Sequence, residues 1–360
     1  MMKKIYLAFF IIGFFLSPLF LLAQKEKSVD ELLLKDYHPV SIYNIPESKI
    51  EKAKFPVIDL HSHPYAKSQA DLQNWIETQK AAGIKKTIVL TYAHGEKFDS
   101  LASIYKPYSD HFELWCGFDY TGYDELGFAE KAVAELERCY KMGARGVGEL
   151  GDKGKGLFYS EPEAWGMHAD DPRMDALFEK CAELSMPVSI HVADPKWMYE
   201  KMDASNDGLM NAYKWRLDDQ QDIVDHAGMI SILENTVKKH PNTTFVACHF
   251  ANCAYDLQII GNLLDKYPNL YLDISARYAE VSAIPRNTKK FFEKYQDRLV
   301  YGTDMGTSAN MYEYTFRILE SEDEHIYSNY NPYHWPLHGL DLSDEVLEKV
   351  YHLNAEKFLR

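Results

Sequence analysis

Phe55-Pro56-Val57-Ile58-Asp59-Leu60-His61-Ser62-His63 is the stretch from which the rest of the chain can be read. In an extended strand alternate side chains share a face. Val57, Asp59, His61 and His63 are therefore expected to point one way, and Ile58, Leu60 and Ser62 the other. Two imidazoles side by side at the C-terminal end of a strand make half of a metal site. The other half must come from other strand ends.

Those ends emerge from the alternation of strand-like and helix-like segments. The pattern predicts strands over 55–63, 86–92, 112–118, 144–150, 187–193, 243–250, 269–275 and 299–304. Amphipathic helical stretches lie between them, over 69–82, 130–142, 172–184, 229–240, 256–267 and 287–297. Eight strands with intervening helices over about 250 residues predict an α/β fold, a (β/α)8 TIM barrel. A doubly wound open sheet is the alternative, but no Gly-rich phosphate loop follows the first strand. Two stretches exceed the repeat and read as loop insertions after strands five and eight. Residues 194–227 carry Trp197, Tyr199, Tyr213, Trp215 and Arg216, and residues 322–343 carry Tyr327, Tyr330, Tyr333, His334, Trp335 and His338. They are expected either to fold over the barrel mouth or to decorate the surface. A terminal helix is predicted over 344–359.

In such a barrel the reacting groups sit at the C-terminal ends of strands. Strand one offers His61 and His63, strand four Glu149, strand five His191, strand six His249 and strand eight Asp304. Alternation predicts that Ser189 shares the inner face with His191, Phe245 and Ala247 with His249, and Gly302 with Asp304. Taken singly, each has an ordinary reading as a core, turn or capping residue. Six metal-competent side chains at five strand ends point instead to a divalent metal site. Nitrogen and oxygen donors without thiolate suit Zn2+, and Mn2+, Fe2+ or Ni2+ are admitted. Asp59 is a candidate to orient His61. Tyr92 and His94, ending strand two, are candidate substrate contacts. Arg277, just after strand seven, would grip a substrate carboxylate or phosphate, or make a loop salt bridge.

The chain has 360 residues, 46% of them hydrophobic, and a formal net charge of -15. That balance argues against nucleic acid and anionic membrane as partners and leaves a small-molecule substrate. Residues 1–23 read as a signal peptide: Lys3 and Lys4, an apolar run from Ile5 to Leu22, and a cleavage point at Ala23-Gln24. An uncleaved anchor is the alternative, and either implies export to the periplasm or beyond. The expected organisation is a signal over 1–23, a polar lead-in over 24–54 and the barrel over 55–360. The five cysteines are widely spaced and read as small buried hydrophobes rather than a disulfide framework.

Ile58-Asp59-Leu60-His61-Ser62-His63, His191, His249, Gly302-Thr303-Asp304 and the tail from His352 to Leu359 together resemble the amidohydrolase superfamily, and more closely its amidohydrolase-related branch. The resemblance runs from about residue 55 to the C-terminus. It implies that His61, His63, His191 and Asp304 hold a divalent metal. It implies that His249 binds a second metal or contacts water and substrate, and that Asp304 and His249 serve catalysis. Gly148-Glu149-Leu150-Gly151 is similar to the strand-four segment of TatD-type deoxyribonucleases, in which the Glu bridges two metals. The lysine that many binuclear members carboxylate at strand four is missing here, so Glu149 is the implied bridge if two ions bind. The activity implied is a metal-dependent hydrolase for an ester, lactone, amide or phosphoester. Decarboxylation, as in one-metal relatives, is the first alternative. A TatD-like nuclease and an inactive binding protein are the others.

Overall fold

The computed structural model describes residues 28–158 and 162–359. The signal-peptide reading of 1–23 lies outside these residues. Among the described residues no helix is long and apolar enough to cross a membrane. The chain divides into two units, one ending at Tyr37 and the other running from His38. The first shows two 3-10 turns, Val29–Glu31 and Leu34–Asp36. The second holds the barrel together with residues 38–54, which are tied to it by Ser48 on the Asp323 carboxylate and by Ala53 N–H on the Ala82 carbonyl.

The strands are β1 Val57–Ser62, β2 Ile84–Leu90, β3 Phe112–Trp115, β4 Val147–Asp152, β5 Gly156–Leu157, β6 Ala164–Trp165, β7 Val188–Val192, β8 Phe245–Ala247, β9 Leu270–Asp273 and β10 Leu299–Val300. Eight of them, all but β5 and β6, pair in parallel as β1-β2-β3 and β10-β9-β8-β7-β4. Backbone hydrogen bonds join the two sets at both seams. Gly148 N–H donates to Cys116 O at 2.8 Å, and Leu60 N–H to Tyr301 O at 2.9 Å. The result is the expected TIM barrel.

The helices are α1 Gln69–Ala82, α2 Gly95–Tyr105, α3 Phe128–Lys141, α4 Asp175–Leu184, α5 Leu209–Ala212, α6 His226–Lys239, α7 Leu257–Lys266, α8 Tyr278–Ser282, α9 Pro285–Tyr295 and α10 Ala309–Glu320. Their starts are written in the sequence. Ser68, Asp225, Asp256 and Ser308 each accept a backbone N–H from the first turn of α1, α6, α7 and α10. α2 escapes the pattern because His94 makes no side-chain cap there and Gly95 opens the helix. The terminal helix is broken into Asp344–Glu348, a π turn over Lys349–Leu353, and Asn354–Glu356.

The alternation argument holds on some strands and fails on others. Ser189 and Gly302 do face inward: a Cβ on Gly148 would meet Ser189 at 2.9 Å, and one on Gly302 would meet His61 at 2.8 Å. But Ile58, Leu60 and Val246, expected outside, pack with Ile88, Leu90, Trp115 and Val300. Strands from opposite sides can share a cluster only inside the barrel. Phe245, expected inside, packs instead on Phe178 of α4, ring centroids 5.4 Å apart. His61 regains the inner side because the β1–β2 register shifts between Asp59 and Ser62. His249 regains it because β8 ends at Ala247 and the chain turns through left-handed backbone at His249, Phe250 and Ala251.

After β4 comes a short hairpin, β5 with β6, that the sequence pattern does not announce. The insertion after the fifth barrel strand, β7, contains only short turns and α5. It meets the insertion after the eighth barrel strand, β10, where Trp197 approaches Trp335, ring centroids 6.2 Å apart. Tyr330 donates to Met305 O at 2.6 Å and Tyr333 to Glu280 at 3.1 Å, seating that second insertion on the loops at the strands' C-terminal ends. Tyr213 and Trp215 remain exposed, so part of the first insertion is surface decoration.

Candidate metal centre

Three imidazoles are oriented by what their Nδ1 atoms touch. His63 Nδ1 lies 3.0 Å from Leu90 O, and His249 Nδ1 3.0 Å from Ser275 O. A carbonyl only accepts, so both Nδ1 atoms carry the proton. His61 Nδ1 lies 2.8 Å from the Asp273 carboxylate, which imposes the same tautomer. In all three rings Nε2 is the nitrogen turned toward the carboxylates of the cluster.

Those Nε2 atoms face two carboxylates. His63 Nε2 is 2.9 Å from Asp304 Oδ1 and 3.7 Å from Glu149 Oε2. His61 Nε2 is 3.8 Å from both Asp304 and Glu149. His249 Nε2 is 3.5 Å from Glu149 Oε1 and 3.8 Å from Asp304 Oδ2. Two sets of donor atoms thus lie within 4.8 Å of one another and share His61: His61, His63 and Asp304, and His61, Glu149 and His249. A third set, His61, Cys248 and Asp273, is chemically poorer. Burial, then the Asp273 charge, pushes the Cys248 thiol well above its ordinary range and keeps it protonated.

His191 stands one step back. Its Nδ1 contacts Glu149 Oε1, and its Nε2 lies 3.3 Å from Asp194, which pairs with Lys153 at 2.9 Å. It joins the cluster through Glu149 and is absent from the donor sets above. Tyr92 is at the centre: its hydroxyl donates to Glu149 Oε2 at 2.5 Å, and its ring stacks on His63. His94 Nε2 lies 3.7 Å from Asp119. Arg277 is half-buried and donates to Glu280 at 2.8 Å, the loop salt bridge of the two readings. Asp59 accepts Thr303 N–H at 3.0 Å and Thr303 Oγ1–H at 2.7 Å, fixing the turn that presents Asp304.

Asp273 and Ser275 are the residues that sequence reasoning missed. Asp273 accepts from His61 and from His249 N–H at 2.9 Å, and Ser275 Oγ donates to it at 2.5 Å. The signal was available, since Asp273 is a buried carboxylate ending an apolar strand.

The electrostatics favour a cation. Burial alone would depress the His61 pKa, but Asp273, Asp304 and Glu149 outweigh it and hold the ring up at about 10. Burial lowers His249, keeping it neutral. Burial opposes ionisation of Glu149 and Asp304. His191 and His61 nevertheless pull Glu149 well below its usual range, and His61 with His63 brings Asp304 to about 2. His61 Nε2 is buried and has no hydrogen-bond partner. In a dry site ringed by ionised carboxylates that nitrogen carries a proton, and a divalent cation that displaces the proton answers the same charge. The residues fit a divalent metal.

The amidohydrolase family model matches residues 124–360. No curated protein matches the chain. Among solved structures, an uncharacterized TIM-barrel protein from Bordetella bronchiseptica is 17% identical, with 84% of this chain and 98% of that chain covered and a TM-score of 0.52. The 2,6-dihydroxybenzoate decarboxylase from Rhizobium is 13% identical, with 84% and 98% covered and a TM-score of 0.53. These likenesses extend the barrel assignment across the part of the chain that precedes residue 124. The chain belongs to the amidohydrolase family.

Proposed function

We propose that the chain is an exported, metal-dependent hydrolase acting on a small-molecule ester, lactone, amide or phosphoester. The carrying observation is the convergence of Glu149 and Asp304 on the Nε2 atoms of three histidines, with His61 common to both donor sets. His61, His63 and Asp304 would hold one divalent ion, and Glu149 and His249, beside them, would hold a second. His191, in contact with Glu149 and the His249 ring, would join them at the second. The nitrogen and oxygen donors suit Zn2+. When bound, the cation supplies the positive field that makes water nucleophilic near neutral pH and stabilises developing negative charge.

The chain's own groups do the rest. Asp304 is more exposed than Glu149 and reachable by substrate, and as an ionised carboxylate it is placed to take the proton of the attacking water. That proton is then returned to the leaving group. Tyr92 holds Glu149 in place. His249 presents a lone pair, so it acts as ligand or acceptor rather than as a donor to the substrate oxygen. The two aromatic insertions restrict water at the mouth.

Decarboxylation is the second reading, favoured by one observation: His61, His63 and Asp304 form a complete donor set without Glu149. Elemental analysis of purified protein distinguishes the two. Two ions per chain, with acid release from an ester and lactone panel, supports hydrolysis. One ion per chain, with CO2 release from aromatic acids, overturns it.

A further inference from the structure

Between the two insertions lies a cleft of about 390 Å³ that includes none of the metal-centre residues. Its walls come from segments following β7, β8 and β9 and from the insertion after β10, so it opens on the catalytic end of the barrel. Trp197 and Trp335 make an aromatic corner, with rings tilted 56° to one another. Gly208 packs so closely on Trp197 that a Cβ there would meet the indole at 2.2 Å, which fixes that ring's place. Ile284 and Tyr255 add apolar wall.

The polar groups are unequal in sign. Glu280 lines the cleft and is only 6% exposed. Its Oε1 accepts from Arg277 and Tyr333, but its Oε2 has no hydrogen-bond partner. A buried carboxylate oxygen without a donor is costly, and a ligand N–H satisfies it. Asp207 adds an exposed carboxylate. Lys196, the cation among the lining residues, is already engaged. Its ammonium sits 5.0 Å from the Tyr255 ring centre and 3.5 Å from Glu200. What the cleft lacks is a positive donor seated against tryptophan faces, the arrangement that attracts ammonium groups.

We propose that this cleft is a binding site for an organic ammonium ion, a protonated amine carried on an apolar body. The amine donates to Glu280 Oε2, its charge lies against Trp197 and Trp335, and its body covers Ile284. The site stands independently of the hydrolase reading, since no residue is shared with the metal centre.

The test is an equilibrium titration of the full chain with benzylammonium, benzyl alcohol and benzoate, followed by calorimetry. Benzylammonium is expected to saturate, roughly 10-fold tighter than benzyl alcohol, with benzoate weakest. Trp335→Leu and Glu280→Gln should each remove most of that preference. Because Glu280 also holds Arg277, the exposed Asp207→Asn serves as the fold-neutral variant and should weaken benzylammonium without changing benzyl alcohol. Equal affinity for the cation and the alcohol, no saturation, or an unchanged preference in all three variants overturns the proposal.

Discussion

Asp273 supplies no donor atom to the two sets that share His61, yet its direct contact with His61 Nδ1 decides which nitrogen that ring turns inward. Replacing it with Asn removes the charge that stabilises the Nδ1–H tautomer and leaves a buried ring free to turn. Asp273→Asn is expected to lower metal affinity by about 10- to 100-fold. Competition with a chromophoric chelator measures this, and an unchanged affinity in a folded variant would sink the assignment. Asp304 acts more directly. Asp304→Asn keeps the shape but cannot take a proton, so turnover should fall by about 10²- to 10⁴-fold. A variant that retained full rate on a confirmed substrate would move the general base elsewhere.

At the scale of elements, the strand-end reading collected side chains that the structure does bring together, partly through a wrong phase. Alternation assumes an unbroken pleat. β1 carries a register shift and β8 ends early, and these two irregularities bring His61 and His249 round to the inside. A period of two has no means of showing a bulge. The close approach of β3 and β4 is likewise hidden, because Gly146 is there to admit Trp115. A Cβ at Gly146 would lie 2.3 Å from the indole. Gly146→Ala should therefore destabilise by about 1–3 kcal/mol in urea unfolding. The hairpin β5–β6 is sewn to β4 by Asp152, which accepts Gly154 and Gly156 N–H and pairs with His168 Nδ1 at 2.6 Å. The hydrogen bond to Asp152 raises the His168 pKa above its ordinary value, against a smaller opposing effect of burial. A raised folded-state pKa contributes stability that is complete below the unfolded value, near 6.5, and fades as pH rises through the folded one. His168→Gln should cost more stability at pH 5.5 than at pH 8.5, as read by Tm. An equal loss at both values would assign the contact a purely neutral role.

For the whole molecule, the large core rather than covalent staples holds the fold. All five cysteines are buried and free, as their spacing implied. Thermal unfolding should give the same Tm with and without a reducing agent, and a drop on reduction would reveal a disulfide. Sequence alone determined the barrel, because the alternation of apolar strands and capped helices is a local property of the chain. It also determined which side chains collect at the mouth, because in a parallel barrel every strand end arrives at the same face. Only the tertiary structure decided their orientation. Which nitrogen a histidine turns inward depends on what lies behind the other, and Asp273, Leu90 O and Ser275 O come from segments distant in sequence. It also decided that Arg277 is spent on Glu280, and that Trp197 and Trp335, separated by more than a third of the chain, close one cleft. Those are contacts between loops, and loops carry no periodicity from which a partner can be read.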